Sequence, residues 1–523
     1  MALHRDSDLL KTVSNSPGSA IAITLGAVAG AYLLVSSFTS GNNKSGLRKI
    51  PSPKGAIPYL GHLLSLEEVP ATQFNKWHKE LGPIIMVRMG VKQWVCVSEP
   101  HLAHLIFGVN GKYTSARPHT TFLCDYYALG SKGIVAGNPS IQWKKTRGAT
   151  LQALSPKNRH KLEKLIHPEA EEAVQKLLAV TARDGSVDVS DPFHFASLNV
   201  ILSTCFGKRA KSTEDPLFHE ITYLMAEGGK RSSPAEEMNT FLPITAVLDV
   251  IFRKRQNMDK FIREKRNPTF RRLIQECLDN DADCLAKTLF EMEDVNEYEN
   301  VLVALADSIL AGTETTAVML TWSAMILCHH PEVQKKIRGE LDQFVRTSGR
   351  LPTYDDRNSL PFSISVQKEC MRFRPTTFFG IPHEATEDFE VDGYLIPKGA
   401  SVVCSMHAIH RDEAFYPDGD KFIPDRFLGD MKPMHTSANA PPAEGRDQFN
   451  FGWGRRVCPG AFLAELVIFN EWVKLFSQCV IEPALDENGV PVYPDLDKLV
   501  NAGIVTPPTK PIMRVVKRTD ALN

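Results

Sequence analysis

Apolar residues recur every three or four positions along most of the chain beyond residue 70, a spacing typical of amphipathic helices. The clearest such stretches are 160–180, 257–290 and 331–345. Short runs rich in β-branched and aromatic residues, bounded by glycine or proline, are typical of strands instead. The pattern therefore predicts a mainly α-helical chain with a small β portion. The strand segments are Ile84–Met89, Gln93–Val97, Phe389–Pro397 and Ser401–Ser405.

The N-terminal part of the chain contains a long uncharged stretch. No charged residue lies between Lys11 and Lys44, and the apolar part spans 16–38. Because about 20 helical residues cross the hydrocarbon core of a bilayer, this stretch predicts a single transmembrane anchor behind a short N-terminal segment, 1–15. A cleaved signal peptide is the alternative, which the length of the apolar stretch disfavours. Basic residues follow the span, and because such residues stay on the cytoplasmic side of a membrane, we expect the rest of the chain to lie on that side.

A basic and proline-rich segment, 39–62, follows the predicted anchor. Prolines at this density keep the backbone extended, so we expect this segment to act as a hinge. No internal repeat or linker interrupts the remainder, which predicts one large domain over 63–523. Within it, the apolar stretch Thr240–Phe252 runs into the basic residues Arg253–Arg255. This stretch fits either a second contact with a membrane or a buried pair of helices, and the sequence leaves both open.

Charge and cysteine usage exclude several classes of protein. The 523 residues carry 60 Lys and Arg against 61 Asp and Glu, a net charge of -1. A general nucleic-acid-binding protein needs an excess of positive charge for phosphate contacts, so we expect no nucleic-acid partner. The ten cysteines are scattered and form no C-x-x-C spacing. That usage is typical of buried free thiols in a reducing compartment.

One cysteine has different surroundings from the other nine. The segment Phe451–Gly460 (FGWGRRVCPG) places Cys458 among glycines, with Arg456 two residues before it. Glycines permit tight turns in which backbone N–H groups point at one sulfur and stabilise its thiolate form. A glycine-rich loop with an incidental cysteine is the simpler alternative, but a thiolate held in this way is suited to bind iron.

The same segment matches the pattern F-x-x-G-x-R-x-C-x-G at every fixed position. Through this match the chain resembles the cytochrome P-450 family. The resemblance implies the microsomal type found in eukaryotes and a fungal source. The resemblance implies the α+β cytochrome P-450 fold, in which a haem lies between a long central helix and the cysteine loop. It makes Cys458 the proximal thiolate ligand of haem b, Arg456 a partner of a haem propionate, and Phe451 a neighbour of the sulfur.

The long central helix is predicted at Val301–Leu327, which is apolar nearly all round. A second transmembrane span is the alternative, but Asp307 and Glu314 near its middle would be costly in lipid. Its segment Ala311–Thr316 (AGTETT) resembles the oxygen-activation motif of the family, [AG]-G-x-[DE]-T-[TS]. The resemblance implies that Gly312 leaves room for O2 and loosens the helix. It also implies that Thr315 and Glu314 are catalytic, because cleavage of O2 requires positioned proton donors.

A structural network is the third match to the family. Glu369 and Arg372 form an E-x-x-R pair whose side chains share one helix face. Arg426 follows in Pro424–Phe427 (PDRF), where Glu is more usual than Asp in the family. The resemblance implies a buried network of these three charged residues, which fixes the segment leading to the cysteine loop and takes no part in catalysis.

Three more residues are expected to bind the haem propionates. Trp143 and Arg147 match the W-x-x-x-R motif of the family, and residues four apart share a helix face. Both side chains donate hydrogen bonds and suit a carboxylate partner. His383 stands where the family often has a propionate donor.

The resemblance implies a haem-thiolate monooxygenase, which inserts one oxygen atom of O2 into a C–H bond and releases the other as water. Because the chain contains no Walker A or G-x-G-x-x-G pattern, we expect its electrons from NADPH through a separate cytochrome P-450 reductase, with cytochrome b5 as a further partner. The expected location is the endoplasmic reticulum membrane, single-pass, with a cytosolic catalytic domain. One alternative is a haem-thiolate isomerase, dehydratase or peroxygenase that needs no external electrons, and another is a non-catalytic haem-binding sensor. The complete oxygen-activation motif disfavours both.

The substrate is expected to be lipophilic: a steroid, sterol, fatty acid, terpenoid or xenobiotic. A large apolar pocket is predicted, with Asp307 as its polar exception, either bonding a substrate hydroxyl or holding a water molecule. The sterol demethylase branch is disfavoured because it usually has His-Thr or His-Ser where this chain has Glu314–Thr315. The predicted lining residues are Phe122, Tyr126, Tyr127, Leu305, Asp307, Ile309, Phe378, Phe379, Ile381 and Ile504.

Overall fold

The computed structural model describes residues 46–292, 297–500 and 502–520. The predicted N-terminal segment, the predicted anchor at 16–38 and the first residues of the hinge lie outside this part of the chain. Helices dominate the described residues. They are α1 Pro70–Leu81, α2 Pro100–Ala103, α3 Ile141–Ala153, α4 Arg159–Asp184, α5 Ser190–Phe206, α6 Pro216–Arg231, α7 Met238–Phe241, α8 Ala246–Ile251, α9 Lys254–Phe261, α10 Asn267–Asp279, α11 Leu285–Glu291, α12 Tyr298–Cys328, α13 Pro331–Ser348, α14 Pro361–Phe373, α15 Met406–Ile409, α16 Met434–Ser437 and α17 Ala461–Gln478.

Short helical segments of other types connect these elements. Three have π-helical hydrogen bonding: His104–Val109, Thr121–Tyr127 and Ile262–Arg266. Tighter 3-10 turns lie at Leu63–Ser65, Pro156–Asn158, Pro243–Thr245, Tyr354–Ser359, Ala443–Gly445 and Gly454–Arg456.

Local sequence sets the ends of the main helices. Several helices, among them α1, α6, α13 and α14, begin with proline, whose missing N–H costs nothing in the first turn. The helices α4, α5 and α13 end at Gly185, Gly207 and Gly349, which adopt φ angles of 80°, 65° and 68°. Glycine takes this left-handed conformation without strain and so terminates a helix.

The β portion forms three small sheets. One has the strand order β1-β2-β7-β4, in which β2 and β7 are parallel and the other pairs antiparallel. The second has the order β3-β10-β8-β9, and the third is the pair β5-β6. The strands are β1 Ile84–Met89, β2 Lys92–Val97, β3 Val187–Asp188, β4 His383–Glu384, β5 Phe389–Val391, β6 Tyr394–Ile396, β7 Ser401–Cys404, β8 Cys479–Leu485, β9 Pro491–Val492 and β10 Ile512–Lys517.

Two predicted elements are divided by turns. The segment 389–397 is a hairpin of two strands, because Asp392 and Gly393 adopt φ angles of 47° and 75° and reverse the chain. The helical stretch 257–290 breaks after α10, where Asp281 has a φ of 49°. The predicted pair β1–β2, strand β7 and helices α4, α12 and α13 are confirmed.

The helix α12 forms the centre of the largest hydrophobic core and packs most extensively against α5. Within the described residues it is also the one helix long and apolar enough to cross a membrane, but 67% of its most apolar window is buried inside the protein. It is therefore a core helix. Nine of the ten cysteines are buried free thiols, as predicted, and Cys458 is half-buried.

The segment 244–252 is not a buried helix pair. It includes α8, and its apolar side chains face outward: Ile244, Val247, Leu248, Val250, Ile251 and Phe252 are 44–77% exposed. The backbone N–H of Ile244 donates to the Tyr59 hydroxyl (3.0 Å), so this segment adjoins the end of the proline-rich hinge. There, Ile57 and Leu64 are also exposed. We call these eight apolar residues the apolar patch.

Two buried carboxyl groups meet between α4 and α17. The carboxylate of Glu169 accepts from Arg209 Nε (2.7 Å) and from Asn199 Nδ2 (3.1 Å). Beside it, one carboxyl oxygen of Glu471 is buried without a hydrogen-bond partner. Burial, together with the negative charge of Glu169, raises the pKa of Glu471 to about 8.

We expect the Glu471→Gln variant to be more stable than the wild type at pH 8. The folded chain holds a proton on Glu471 that the unfolded chain releases above its ordinary pKa, so stability falls as the pH rises from about 4.5 to about 8. At about 1.4 kcal/mol per pKa unit, the gain at pH 8 is about 3–5 kcal/mol. Urea unfolding at pH 5 and pH 8 measures it, with the exposed Glu487→Gln as control. An equal effect of Glu471→Gln at both pH values would contradict the assignment.

Candidate active site

The cysteine loop is closed by its own backbone. The N–H of Cys458 donates to the carbonyl oxygen of Phe451 (2.8 Å). Gly452 and Gly454 adopt φ angles of 74° and 52°. At Gly454 a Cβ atom would also collide with the carbonyl oxygen of Phe107. Glycine is therefore required at this position, and the loop is tied to the end of the π-helical segment His104–Val109.

The sulfur of Cys458 has three neighbouring features that stabilise a thiolate. Burial raises the pKa of the Cys458 thiol, whereas the backbone N–H of Gly460 and the positive charge of Arg147 lower it. The helix α17 begins at Ala461, so its positive dipole end adjoins the sulfur. The N–H of Gly460, the charge of Arg147 and the helix dipole stabilise the charged form that binds a metal, and burial opposes them.

Helix α3 carries Trp143 and Arg147 on one face. Its start is fixed by Ser140, whose hydroxyl oxygen accepts from the Trp143 N–H (3.0 Å). The indole N–H of Trp143 donates to the carbonyl oxygen of Ile134 (3.1 Å). The Arg456 guanidinium lies 4.3 Å from the centre of the Trp143 ring. The residues predicted to bind propionates from two distant motifs are thus in contact.

Arg456 and Arg147 donate to backbone carbonyl groups. Arg456 bonds the carbonyl oxygens of Ser115 (2.9 Å), Ile134 (3.0 Å) and Gly137 (2.6 Å). Arg147 donates to the carbonyl oxygen immediately before Cys458. Both guanidinium groups are more than nine-tenths buried. These bonds orient the two cations without neutralising them.

A third arginine, Arg117, joins this cluster and was not predicted. Its side chain donates to the carbonyl oxygens of Val135 (3.1 Å) and Ile381 (2.9 Å). The ring of His383 bonds the carbonyl oxygen of Thr114, close to the same segment. Arg117 lies in an irregular segment without periodicity, so no sequence pattern marked it.

The cluster of Arg117, Arg147 and Arg456 carries uncompensated positive charge. Burial and, less strongly, the charges of Arg456 and Arg147 lower the pKa of Arg117 to about 9. Burial and, less strongly, the charge of Arg147 lower the pKa of Arg456 to about 10. Burial and the charge of Arg117 also hold the pKa of His383 well below its usual range. Among the described residues, none of the three arginines pairs with a carboxylate. A cofactor with two carboxylates and a thiolate-bound metal fits this donor set, as a haem does.

The middle of α12 is open although the rest of the helix is buried. Ser308, Ala311, Gly312 and Thr315 are accessible in a helix whose residues before and after are almost all buried. These are the residues predicted to share one face. An opening halfway along a core helix provides room for a cofactor and a small molecule beside it.

The two residues at the centre of this opening have different partners. The Thr315 hydroxyl donates to the carbonyl oxygen of Ala311 (2.6 Å), which leaves its lone pairs free to accept. At Gly312 a Cβ atom would lie 2.9 Å from the Ile201 side chain. The small size of Gly312 thus permits α5 to approach α12 closely, and its predicted role toward O2 stays a prediction.

Glu314 lies one residue from Thr315 and bonds a histidine of α5. Nε2 of His194 is 3.2 Å from a carboxylate oxygen of Glu314, and both side chains are partly exposed. The His194 ring also contacts Phe218 of α6 edge-on (6.1 Å). His194 was not predicted, because no local motif relates residues 120 positions apart. The contact joins the predicted proton donor to the solvent side of the helix.

Asp307 holds a loop of the protein. One carboxylate oxygen accepts from the backbone N–H groups of Ile134 (2.8 Å) and Val135 (3.0 Å). Burial raises its pKa to about 6, against the effect of these bonds and of Arg266. The same loop supplies carbonyl groups to Trp143 and the arginine cluster. This oxygen thus has two backbone partners, and the predicted bond of Asp307 to a substrate hydroxyl or a water stays a prediction.

The predicted network of Glu369, Arg372 and Arg426 is assembled in the structure. Arg372 bonds both carboxylate oxygens of Glu369 (2.7 and 2.8 Å), and Nε of Arg426 donates to one of them (3.1 Å). Glu369 and Arg372 are fully buried. The backbone N–H of Ile423 donates to the other oxygen of Glu369 (2.8 Å), so the acid is saturated with donors.

The network continues to the cysteine loop. Arg372 donates to the carbonyl oxygen of His410 (2.6 Å), and the ring of His410 accepts from the backbone N–H of Phe449 (2.8 Å). The amide of Asn450 donates to the carbonyl oxygen of Met371, one residue before Arg372 (2.8 Å). Helix α14 therefore holds the start of the loop that ends at Cys458.

The predicted pocket residues fall into separate groups. Phe122, Tyr127, Leu305 and Ile309 are buried in the largest core, and Tyr126 packs against it. Phe379 contacts Phe74 of α1 edge-on (5.0 Å), and Phe378 contacts the ring of His407 (4.6 Å). Ile381 supplies a carbonyl oxygen to Arg117, and Ile504 is 47% exposed.

Comparison with known proteins agrees with this geometry. The sequence profile of the family described as Cytochrome P450 matches residues 51–512. A "Cytochrome P450 monooxygenase 253" of Postia placenta is 27% identical over 484 residues, 90% of this chain and 89% of the relative. A "Steroid 17-alpha-hydroxylase/17,20 lyase" of Mesocricetus auratus is 30% identical over 461 residues, 83% of this chain and 87% of the relative. A zebrafish cytochrome P450 structure with progesterone superposes with a TM-score of 0.70 at 25% identity, covering 86% of this chain and 99% of the other.

Fold and site define a haem-thiolate protein of mixed but mainly helical architecture. The chain belongs to the cytochrome P450 family, and as a member whose relatives are named monooxygenases it is a cytochrome P450 monooxygenase. The expected fold and family are thereby confirmed.

Proposed function

We propose that this protein hydroxylates a lipophilic substrate of steroid size with electrons from an NADPH-dependent reductase. The observation that carries the proposal is the opening in α12, where Thr315 is accessible between apolar core residues. Two kinds of relative support the size class: one is named as a steroid hydroxylase, and one structure contains progesterone.

The roles of the chain's residues follow from their contacts. A bound haem would supply the activation of O2, of which one oxygen atom enters the C–H bond and the other leaves as water. Cys458 would hold the iron, and Arg117, Arg147 and Arg456 would orient the two propionates. Trp143, whose one indole N–H donates to the carbonyl oxygen of Ile134, would support Arg456 through the face of its ring. Glu369 and its two arginines keep the cysteine loop in place.

Glu314 and Thr315 deliver protons to the opening in α12. Glu314 takes a proton from the side of His194, where both groups are partly exposed. Thr315 accepts hydrogen bonds through its free lone pairs and donates once its hydroxyl turns away from Ala311. Apolar neighbours such as Leu305 and Ile309 exclude bulk water, which limits the loss of protons to side reactions.

A substrate screen tests the proposed function. Steroids, fatty acids and terpenoids are added to the purified holoenzyme, and binding is followed by the shift of the haem absorption. Compounds that bind are then incubated with reductase and NADPH, and the products are identified. Hydroxylated product that requires both NADPH and reductase supports the proposal. Product formed from peroxide alone, or isomerised product without NADPH, would favour the alternative classes.

We expect Thr315→Ala to bind haem and substrate normally but to lower the yield of hydroxylated product per NADPH by about tenfold. A positioned proton donor contributes about 100-fold or more to such steps, and without it electrons are diverted to hydrogen peroxide. Product and peroxide are measured against NADPH consumed. The Thr315→Ser variant keeps the hydroxyl and is the matched control. Unchanged coupling in Thr315→Ala would remove this residue from the mechanism.

We also propose a single-pass anchor at 16–38, a hinge at 39–62, a catalytic domain over 63–523, and location at the endoplasmic reticulum.

The apolar patch supports a second membrane contact, because exposed apolar side chains beside a basic run are typical of surfaces that enter the lipid interface. Arg253–Arg255 supplies that run directly after Phe252. The patch also adjoins the end of the proposed hinge.

We expect a chain truncated to 45–523 to keep weak binding to vesicles that contain anionic lipid. Replacing Val250 and Phe252 by glutamate in this truncated chain should lower that binding at least tenfold, since each apolar side chain contributes about 1.5–3 kcal/mol when buried. Vesicle sedimentation measures the bound fraction. The control replaces Val490 and Val492, which are 54% and 50% exposed outside the patch. Equal binding of both double variants would contradict a membrane contact at the patch.

A further inference from the structure

The π-helical segment Thr121–Tyr127 carries three of the predicted pocket residues, Phe122, Tyr126 and Tyr127. We call it the wall segment. Thr120 precedes it with the extended backbone of a helix cap (φ -131°, ψ 148°), but its side chain makes no capping bond. The first N–H groups of a helical segment have no partner within that segment, so they need an acceptor from elsewhere.

A glutamate from a distant part of the chain supplies this acceptor. One carboxylate oxygen of Glu237 accepts from the backbone N–H of Thr121 (2.9 Å), and the other accepts from the backbone N–H of Phe122. Glu237 is 3% exposed, and no lysine or arginine of the described chain pairs with it. Burial raises the pKa of its carboxyl group, although the backbone bonds lower it. The N–H groups of the wall segment are therefore the closest partners of a buried carboxylate.

The opposite end of the wall segment is held from the same part of the chain. Nη2 of Arg266 donates to the carbonyl oxygen of Tyr127 (2.7 Å), and the guanidinium lies 4.8 Å from the centre of the Tyr127 ring. Between the two ends, the ring of Phe122 lies 6.3 Å from the ring of Phe261 in α9. The wall segment is thus clamped at both ends by residues of the stretch 237–266.

The stretch that clamps the wall segment also carries most of the apolar patch. The amide of Asn239 donates to the carboxylate of Asp249 in α8 (2.6 Å). Nζ of Lys254, the first residue of α9, lies 3.3 Å from a carboxylate oxygen of Glu236. These contacts join the residues on either side of Glu237 to the helices around the patch, so a displacement of the patch is transmitted to Glu237.

We propose that Glu237 is a positioning residue that latches the wall segment, and that release of this latch opens the haem pocket toward the apolar patch. A lipophilic substrate concentrates in an apolar phase, so an opening beside the patch admits it without passage through water. The inference rests on the proposed function for the nature of the substrate. The latch itself acts on any molecule that is too large to pass the closed wall.

Rapid mixing of the full-length ferric holoenzyme with 1-phenylimidazole tests the latch. This lipophilic molecule binds haem iron directly, so the change in haem absorption reports its entry whether or not the protein hydroxylates a steroid. We expect Glu237→Ala to raise both the association and the dissociation rate about tenfold, because two charge-assisted bonds of the closed wall are lost. The affinity should stay within about twofold, since these bonds do not contact the bound molecule. Cyanide, a small ion that also binds ferric haem, should bind at an unchanged rate.

A second substitution separates a latch from a local helix cap. In the Glu237→Ala/Thr120→Asp double variant, a carboxylate at position 120 accepts from the first N–H groups of the wall segment without any bond to residue 237. Entry of 1-phenylimidazole should stay fast in this double variant if Glu237 is a latch. A return to the wild-type rate would show that Glu237 only caps the segment.

The matched control is Glu264→Gln, which changes an exposed glutamate of the segment Ile262–Arg266 and should leave both rates within about twofold of the wild type. If Glu237→Ala takes up no haem, Glu237→Gln takes its place. Its amide keeps one acceptor oxygen and should raise both rates about threefold. The proposal is overturned if the haem-loaded Glu237 variant admits 1-phenylimidazole at the wild-type rate, if cyanide binding accelerates equally, or if Thr120→Asp restores the wild-type rate.

Discussion

The Cys458→Ala variant is expected to lose the absorption band that reduced haem-thiolate proteins give with carbon monoxide. The physical reason lies in the surroundings of this one sulfur. It receives the N–H of Gly460, lies beside Arg147 and adjoins the start of α17. All three features stabilise a thiolate. Burial raises the pKa of the Cys458 thiol as well. It raises the pKa of the Cys328 and Cys404 thiols to about 12, so these two stay protonated.

The matched control for this prediction is Cys479→Ala, which removes a buried thiol from β8. We expect it to keep the band, with a small loss of stability from the cavity. Haem content and circular dichroism show whether each variant is folded and loaded. A normal carbon monoxide spectrum in folded Cys458→Ala protein would refute thiolate ligation by this residue.

Residues within short motifs were predictable because each motif carries its own chemistry at fixed spacing. The glycines around Cys458 and the open face of α12 around Thr315 required no knowledge of distant segments. The fold class followed in the same way, since helical periodicity is local. The turn at Asp392–Gly393 also has a local signature, but the single apolar run across it hid the two strands.

Contacts between distant segments were not predictable. Arg117 reaches the arginine cluster from an irregular loop, and His194 reaches Glu314 from another helix. The role of Asp307 illustrates the same limit. An acid in an apolar helix indicates a polar partner, but only the folded chain shows that the partner is the backbone at 134–135.

The charge network shows why a motif can be recognised before its function is understood. Glu369 and Arg372 are three residues apart, and as an exposed helix pair they would contribute about 0.2–0.5 kcal/mol. In the folded protein both are fully buried, and Arg426 adds a second cation to the same carboxylate. Burial makes the pair costly to break, because removing one member leaves an uncompensated charge.

We therefore expect Glu369→Gln to lower the free energy of unfolding by about 3–5 kcal/mol and to yield little haem-loaded protein. The amide keeps the shape of the side chain but leaves Arg372 and Arg426 without a counter-charge. The displaced α14 then no longer holds His410 and, through it, Phe449 at the start of the cysteine loop. Urea unfolding and haem content measure the effect, with the exposed Glu390→Gln on β5 as the matched control.

A structural role for Glu369 is distinguished from a catalytic one by the activity of the fraction that folds. Turnover per bound haem in Glu369→Gln should stay within about twofold of the wild type, because the carboxylate contacts only arginines and backbone within the described chain. Arg426→Lys keeps a positive charge beside Glu369 and should cost less, about 1–2 kcal/mol, through lost bonds to Pro417 and Asp418. A Glu369→Gln protein with wild-type unfolding and haem content would show that the network does not support the loop. Normal stability with lost turnover per haem would instead make Glu369 part of the reaction.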